Sequence, residues 1–437
     1  MNGLMRAYQS LFAEQVKTLP GHHALPVVAD RQAAMERFMR VGLPTRKLES
    51  WKYSAGEALS HRVYRLPSPR CSGLDVEDLD PYLAGKATAH RMVFMNGLFS
   101  QHLSDLQDLP TGLRVESLAK VAADAPAELE PYLGHGLAGQ DQGFAELNHA
   151  LWSDGAFVCV SPGSRPPKPL HLLFLTTASR EPMMTVPWNL VILGRDADVL
   201  LLESHATLGE ALHFSNVYTT LILGDHAQMR HVLLLETSRS AHYVGSIQAT
   251  QRAGSRFDSH LLSVGGEITR QEVHVALAGE EAECALDGLF LAGGCQQMDF
   301  YTTVHHTHSS TRSRQLYKGV LDGASRGVFN GMVHVPPGVH NTQSRQLTAN
   351  LLLSDTAEID ARPQLEINAD AVQCSHGATV GSLDPDALFY LQSRGLDVAM
   401  ARSLLVQGFA DELLQRIEPF PLQEWVGLRL DLEGAQR

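Results

Sequence analysis

From about residue 155 to residue 380 the chain is a procession of short β-rich runs, and the length of that procession restricts what it can become. "FVCVSPG", "LHLLFLTT", "NLVILGRDADVLLLESHA", "VYTTLILGDHAQMRHVLLLE" and "EVHVALAGEEAECALDGLFLAGG" follow one another with Gly, Asp or Asn between them, at roughly 10 to 15 residue intervals. Helical periodicity is missing throughout. Roughly 200 residues of this pattern strain an ordinary sandwich, whereas a solenoid with one short strand per edge accommodates them. The repeats are inexact, so a large two-sheet sandwich stays open as the competing arrangement.

The flanks differ. Leu4, Tyr8, Leu11, Phe12 and Val16 recur at helical spacing, and "ADRQAAMERFMRVGLP" predicts a second helix with Met35, Phe38 and Met39 on one side and a Gly-Leu-Pro stop. Between about 56 and 150, "HRMVFMNGLFSQHLSDL" reads as strand, Asn-Gly turn and strand, and "FAELNHALWSDG" as a short helix. After the strands, Asp384 and Pro385 start a helix with Leu388, Phe389 and Leu391 on its apolar side, which Gly395 ends. Asp397 caps another, in which Val398, Ala401, Leu405 and Phe409 share a face. The expected division is a helical and mixed region over 1–150, a β core over 151–382 and a helical region over 383–437. The closing helices either cap the sheet region or offer an apolar face to another protein.

Among 437 residues the formal net charge is −13, which gives no attraction to nucleic acid or to an anionic membrane surface. No apolar run approaches the roughly 20 residues that a membrane-crossing helix needs, and the N-terminal "MNGLMRAYQSLFAEQVKTLPG" lacks a signal-peptide core. The expectation is a cytoplasmic protein. Five cysteines, Cys71, Cys159, Cys284, Cys295 and Cys374, are scattered without CxxC spacing, which argues for reduced, mostly buried thiols and against a disulfide framework or a zinc knuckle.

Motif absences narrow the chemistry. The nearest approach to a P-loop, "AGKATA" at 84–89, lacks both the upstream glycine and the hydroxyl residue, and no GxSxG, HExxH or strand-linked GxGxxG occurs. A self-sufficient enzyme of a common class is not visible, and no catalytic residue is assigned. What remains is rich in histidine. In "YTTVHHTHSSTRSRQLYKG" the period-two rule puts His306 and His308 on one side of a strand and His305 on the other, a spacing open to metal ligation and equally to an exposed polar face. His334 and His340 flank "VPPG" and read as loop or edge residues.

In "DAVQCSHGATVG" an extended backbone projects Cys374 and His376 to one face with Ser375 opposite. Thiol and imidazole suit zinc, copper or iron–sulfur chemistry, but two ligands cannot close a four-coordinate site. The remaining ligands must come from elsewhere in the chain or from a second chain. A nucleophile and base, half of a metal site, and plain packing at a turn all stay open on the residues alone, although side chains two apart on a strand point in parallel and make a poor dyad.

Residues 325–396, "SRGVFNGMVHVPPGVHNTQSRQLTANLLLSDTAEIDARPQLEINADAVQCSHGATVGSLDPDALFYLQSRGL", closely resemble the SufB/SufD family of the SUF iron–sulfur cluster assembly scaffold. "LESWKYS" at 48–54, "FMNGLFS" at 94–100 and "FAELNHA" at 144–150 extend the resemblance to the N-terminal half. The first 150 residues hold only Cys71 where SufB-type chains carry a cysteine cluster, and "CSHG" stands where those chains typically have a Glu-His pair, which favours the SufD branch. One departure is Ala371, where relatives often carry a second acidic residue beside the Asp370 kept here.

The resemblance implies a mainly β fold, a right-handed parallel β-helix core flanked by N-terminal and C-terminal helical regions. It implies a non-enzymatic scaffold subunit that pairs with the SufB paralogue through the end of the β-helix. The SufC ATPase is expected to dock on the C-terminal helical region. A transient iron–sulfur cluster shared with the partner is expected, with His376 and, less directly, Cys374 as the ligands from this chain. The sequence leaves open whether a flavin binds the assembled complex and whether isolated chains pair as a homodimer. Two alternatives from other classes are a metal-storage or delivery protein using His306 and His308, and a β-helix polysaccharide-processing enzyme. The second lacks the carboxylate cluster and export signal such enzymes carry.

Overall fold

A computed structural model describes residues 3–417 except 55, 57–58, 60–61, 68–73, 84–88, 135–141 and 178–180. Cys71, most of "AGKATA" and the 418–437 part of the expected C-terminal region therefore lie outside the described residues. Along the β region consecutive strands alternate between two sheets, so each strand pairs with the second one along. One sheet passes from the hairpin His90–Met95 and Leu98–Phe99 through Leu170–Thr177, Asp198–Leu208, Gln228–Thr237, Arg256–Gly265, Glu283–Ala292, Arg312–Leu321 and Thr342–Leu352 to Val372–Gly381. The other passes from Leu113–Ser117 and Ala156–Val160 through Trp188–Leu193, His213–Leu223, His242–Gln251, Ile268–Leu277, Gln297–His306 and Arg326–Val335 to Glu358–Ile367.

Pairing in the coils is parallel and in strict register: His242 stands beside Ile268, Ile268 beside Gln297, Gln297 beside Arg326 and Arg326 beside Glu358. One coil therefore takes roughly 30 residues, the period of a solenoid. A sandwich of hairpins is excluded, because among the described residues antiparallel pairing is confined to the N-terminal part, at 94–99, at 113–160 and in the single bridge between Arg91 and Asp105. The core is a parallel β-helix.

The polar spacers between strands have a stereochemical task. Once per coil a corner residue takes the left-handed conformation: Asp196 (φ 56°), His226 (φ 58°), Gly254 (φ 61°), Glu281 (φ 59°), Ser310 (φ 61°) and Asn341 (φ 56°). These corners stack, since the amide of Asp196 donates to the carbonyl of Asp225, His226 to Ala253, Gly254 to Glu280, Ser310 to His340 and Asn341 to Ala371. The conformation is costly for residues with a Cβ, and coil-to-coil hydrogen bonds hold it in place.

Strand residues alternate between a lumen and an outer face. Met229, Phe257, Leu286, Phe290, Phe300, Tyr317 and Phe329 fill the lumen; each such side chain contributes roughly 1.5–3 kcal/mol through removal from water. Helices Gly3–Gln15, Leu25–Val41 and Gly143–Leu151 form as the sequence predicts, and Leu4, Tyr8, Phe12, Met35, Phe38 and Phe144 pack with Met184, Phe214 and Val244 at the start of the β-helix. Gly42 stops the second helix with a φ of 73°. The predicted Asn-Gly turn is present, with Asn96 at φ 52° and Gly97 at φ 78°, as a type I′ hairpin requires.

The "LESWKYS" segment crosses the outer face of later coils. The Arg270 guanidinium lies 3.8 Å from the Trp51 ring centre, Arg270 pairs with Glu272 at 2.7 Å and with Asp299, and Ser54 donates to Asp299. Arg362 reaches Glu49 at 2.6 Å, so one strap touches coils from Ile268 to Ile367.

Helix Pro385–Ser393 is capped by Asp384, as expected, yet buries none of its residues. Helix Val398–Leu414, capped by Asp397, lies on the outer leucine stripe of the first sheet and buries Ala401, Val406, Ala410, Leu413 and Leu414. The expected face is corrected here: Val398 is exposed and Leu405 and Phe409 are only half-buried. This helix is apolar nearly all round, so the sheet and not the periodicity selects the buried side. The cysteine expectation is also corrected: of the four described thiols, all free, only Cys284 is buried and Cys295 is exposed. Among the described residues no helix is long and apolar enough to cross a membrane.

Candidate functional site

Val372–Gly381 is the edge of its sheet, paired only with Thr342–Leu352. That pairing fixes the side chains: Cys374 stands beside Ser344, Ser375 beside Arg345 and His376 beside Gln346. Ser344 and Gln346 are buried lumen residues, so Cys374 and His376 share the lumen side with Ser375 opposite, as the period-two spacing predicts. Cys374 is half-buried against Val333, Val335 and Val339 together with Leu365, Ile367 and Val372. His376 is exposed and has no hydrogen-bond partner among the described residues.

One coil earlier the same columns read Ser344-Arg345-Gln346-Leu347, and one coil before that Ser313-Arg314-Gln315-Leu316. The Ser-Arg-Gln-Leu repeat was legible in the sequence and is the signal that locates the site within the coil register. Cys374-Ser375-His376 is thus the final turn of a repeat in which serine has become cysteine and glutamine has become histidine. Sequence reasoning about Cys374 and His376 alone missed the two glutamines beneath them.

Those glutamines give the last coils a polar lumen. Thr302 donates to Gln315 Oε1 at 2.7 Å, but Gln315 Nε2, both polar atoms of the Gln346 amide and Asn350 Oδ1 are buried without a partner in the described structure. Opposite them Gly331 leaves room for the Gln346 amide, which a Cβ there would displace. Leaving a buried amide unpaired costs about 1–3 kcal/mol per group, so the arrangement is not explained by stability.

Burial pushes the Cys374 thiol up from its ordinary value, partly offset by a backbone hydrogen bond at Ser344. A nucleophilic cysteine needs the opposite shift, which weakens the dyad. A metal ligand does not, since a coordinating thiol loses its proton to the ion. No group of three His, Cys, Asp or Glu side chains is arranged to hold a metal among the described residues.

On the outer side of the same strands a groove of about 510 Å3 runs from Arg256 past Arg314 and Arg345 to Gln373 and Ser375. Arg314 is held by Asp287 at 2.7 Å, whereas Arg345 has no acidic partner among the described residues. A positive outer edge therefore borders the coil that carries Cys374 and His376.

The other histidines are placed differently from expectation. The strand Gln297–His306 ends at His306, which faces the lumen and bonds Thr311 Oγ1 at 2.8 Å and Ser313 Oγ at 2.9 Å; His308 lies beyond it in the turn. The pair therefore shares no strand face. His340 is in a loop near Ser309, as expected. His334 is not: it lies within strand Arg326–Val335, on the outer face beside His305. His305 opens to solvent on one side while the sheet packs against the other, and that partial desolvation, then His334 and His274, lowers it from its ordinary value.

Among the described residues, the helix after the edge strand presents an exposed apolar surface. Phe389 is 72% exposed and Tyr390 56%, and Val398, Met400 and Leu404 continue the patch onto the following helix.

Comparison with known proteins agrees with this geometry. Residues 174–409 match the family described as SUF system FeS cluster assembly, SufBD core domain, and residues 2–172 match the SufBD protein N-terminal region. An iron–sulfur cluster assembly SufBD family protein of Synechocystis, slr0076, is 31% identical over 91% of this chain and 89% of its own. The iron–sulfur cluster assembly protein SufD of Escherichia coli is 30% identical over 93% of each. The chloroplastic protein ABCI7 of Arabidopsis thaliana is 26% identical over 92% of this chain and 84% of its own.

Proposed function

The chain belongs to the SufBD family of iron–sulfur cluster assembly proteins, as a homologue of SufD, and from that premise we propose that it is a non-enzymatic scaffold subunit on which a nascent cluster is held between two chains. The observation that carries this reading is the exposed His376 beside half-buried Cys374 on a strand with one free edge. Two protein ligands leave a cluster incomplete, and a free strand edge is where a second chain adds its own strand and its own ligands.

In this reading the SufB paralogue docks at the open end formed by Glu358–Ile367 and Val372–Gly381. The SufC ATPase docks on the patch of Phe389, Tyr390, Val398, Met400 and Leu404. The cluster is cargo: His376 supplies a neutral imidazole and Cys374 a thiolate once an ion displaces its proton. The polar lumen around Gln346 keeps amide dipoles under the cargo where lower coils have leucine and phenylalanine. Nothing in this assembly requires export, and the reading places it in the cytoplasm; a homodimer through the same free edges is the expected resting form when SufB is absent. Flavin binding would belong to the assembled complex.

Co-expression with SufB-type and SufC-type chains, followed by pull-down, tests the partnership. His376→Ala is expected to leave the complex intact and stop cluster formation in cells. Normal maturation of iron–sulfur enzymes with that variant overturns the ligand role. Storage of metal through His306 and His308 is disfavoured, because His306 is buried and hydrogen-bonded at both ring nitrogens.

A further inference from the structure

On the outer face of the second sheet, away from Cys374 and His376, register aligns His305, His334 and Glu366 side by side on three successive strands. Strands in a sheet lie about 4.8 Å apart, so residues in one column project donors within reach of a single ion. The two imidazole rings have centroids 5.4 Å apart and planes inclined at 60°. His334 Nε2 lies 3.7 Å from Glu366 Oε1. Donors bound side by side to one ion at about 2.1 Å sit roughly 3.0–3.4 Å from each other, so this pair is within a few tenths of an ångström of ligating geometry.

We propose that His305, His334 and Glu366 form a site for one divalent transition-metal ion of the Fe(II) class. Two imidazoles and one carboxylate are borderline-to-hard donors that suit Fe(II), Co(II), Ni(II) or Zn(II), and three protein ligands leave positions open to water. The three donors do not converge as they stand. His305 and Glu366 are exposed, so closing the site takes side-chain rotation, while the backbone of three hydrogen-bonded strands stays fixed. His274 borders the cluster but is held by Thr303 at 2.8 Å and Glu272 at 3.5 Å, which leaves the three-residue column as the ligand set. An ordinary polar face calls for no such column: Ala276, one coil earlier in the same position, shows that histidine is not demanded there. The site goes beyond the cluster-holding role of Cys374 and His376 and stands or falls separately from it.

The test is titration of the full-length, tag-free chain with Co(II) under anaerobic conditions, read by visible d–d absorption, followed by displacement with Fe(II). One Co(II) per chain is expected, with affinity reduced at least about tenfold in His305→Ala and in His334→Ala and reduced also in Glu366→Gln. Cys374→Ser and His376→Ala are expected to bind as the parent does. Far-UV circular dichroism of each variant checks that the chain remains folded, which these outward-facing positions permit. Unchanged Co(II) affinity in His334→Ala overturns the site, as does loss of all Co(II) binding in Cys374→Ser. Such donors hold Co(II) more tightly than Fe(II), so displacement is read under a large excess of Fe(II), and d–d bands unchanged at that excess overturn the assignment to iron.

Discussion

His376 and Gln346 stand side by side on neighbouring strands, the first exposed and the second fully buried with neither amide atom paired in the described structure. The cost of the glutamine falls on the fold and its benefit falls on the site above it. Gln346→Leu is therefore expected to stabilise the chain by about 1 kcal/mol in urea unfolding and to lower the rate of cluster formation in the assembled complex. A loss of stability would show that the amide is satisfied by water and serves packing.

The Trp51 contact with Arg270 makes a second prediction. The guanidinium is buried between Trp51, Asp299 and Glu272, and the coulombic pull of the two carboxylates, acting against burial, raises it above its ordinary value. Trp51→Ala removes a fully buried ring and opens the ion cluster to water, for an expected loss of about 3–5 kcal/mol. Chemical denaturation of parent and variant measures it; a loss below about 1 kcal/mol would mean that the strap contributes little to holding the coils.

The fold was legible where its cause is local. Strand spacing and corner residues such as Asp196 and Asn341 announce a solenoid, because each coil must turn at the same place. Asp384 and Asp397 announce helix starts for the same reason, a side-chain oxygen meeting an unpaired amide. The buried side of the last helix was not legible, since Val398 and Val406 are equally apolar and the leucine stripe beneath decides between them. Cys374 and His376 were legible as a strand pair, yet their depth was not: it follows from ending at a sheet edge above Gln346. His305 and His334 were separated in sequence and joined only by coil register, which no local spacing reveals.

Acid should weaken the fold through histidines buried in the neutral form. Burial, with a smaller contribution from Arg91, lowers His171 to about 3. Burial lowers His213 to about 4 and, assisted by His305, His306 to about 4. Each folded-state value lies below the roughly 6.5 of an unfolded chain, so the unfolded state binds more protons between them. Stability present above pH 6.5 is then lost as pH falls toward 4, on the order of 1 kcal/mol per residue by pH 5.5. Urea midpoints at pH 7.5 and pH 5.5 should differ accordingly, and His306→Gln should shrink the difference by about 1 kcal/mol. A difference untouched by that substitution would assign the acid sensitivity to other groups.

Phe389 is 72% exposed on a helix with no fully buried residue, so among the described residues its aromatic ring contributes little to the fold. Phe389→Asp is expected to leave thermal stability within about 0.5 kcal/mol of the parent, as surface substitutions generally do. If the helix is where the ATPase docks, the same change removes an aromatic anchor and buries a charge, weakening binding by about 2 kcal/mol or more, which is roughly thirtyfold. Calorimetric titration with the SufC-type partner separates the outcomes. Unaltered affinity would move the docking surface away from Pro385–Ser393, while lost affinity with an unchanged melting temperature places the ring in the interface and leaves the β-helix to carry the cluster.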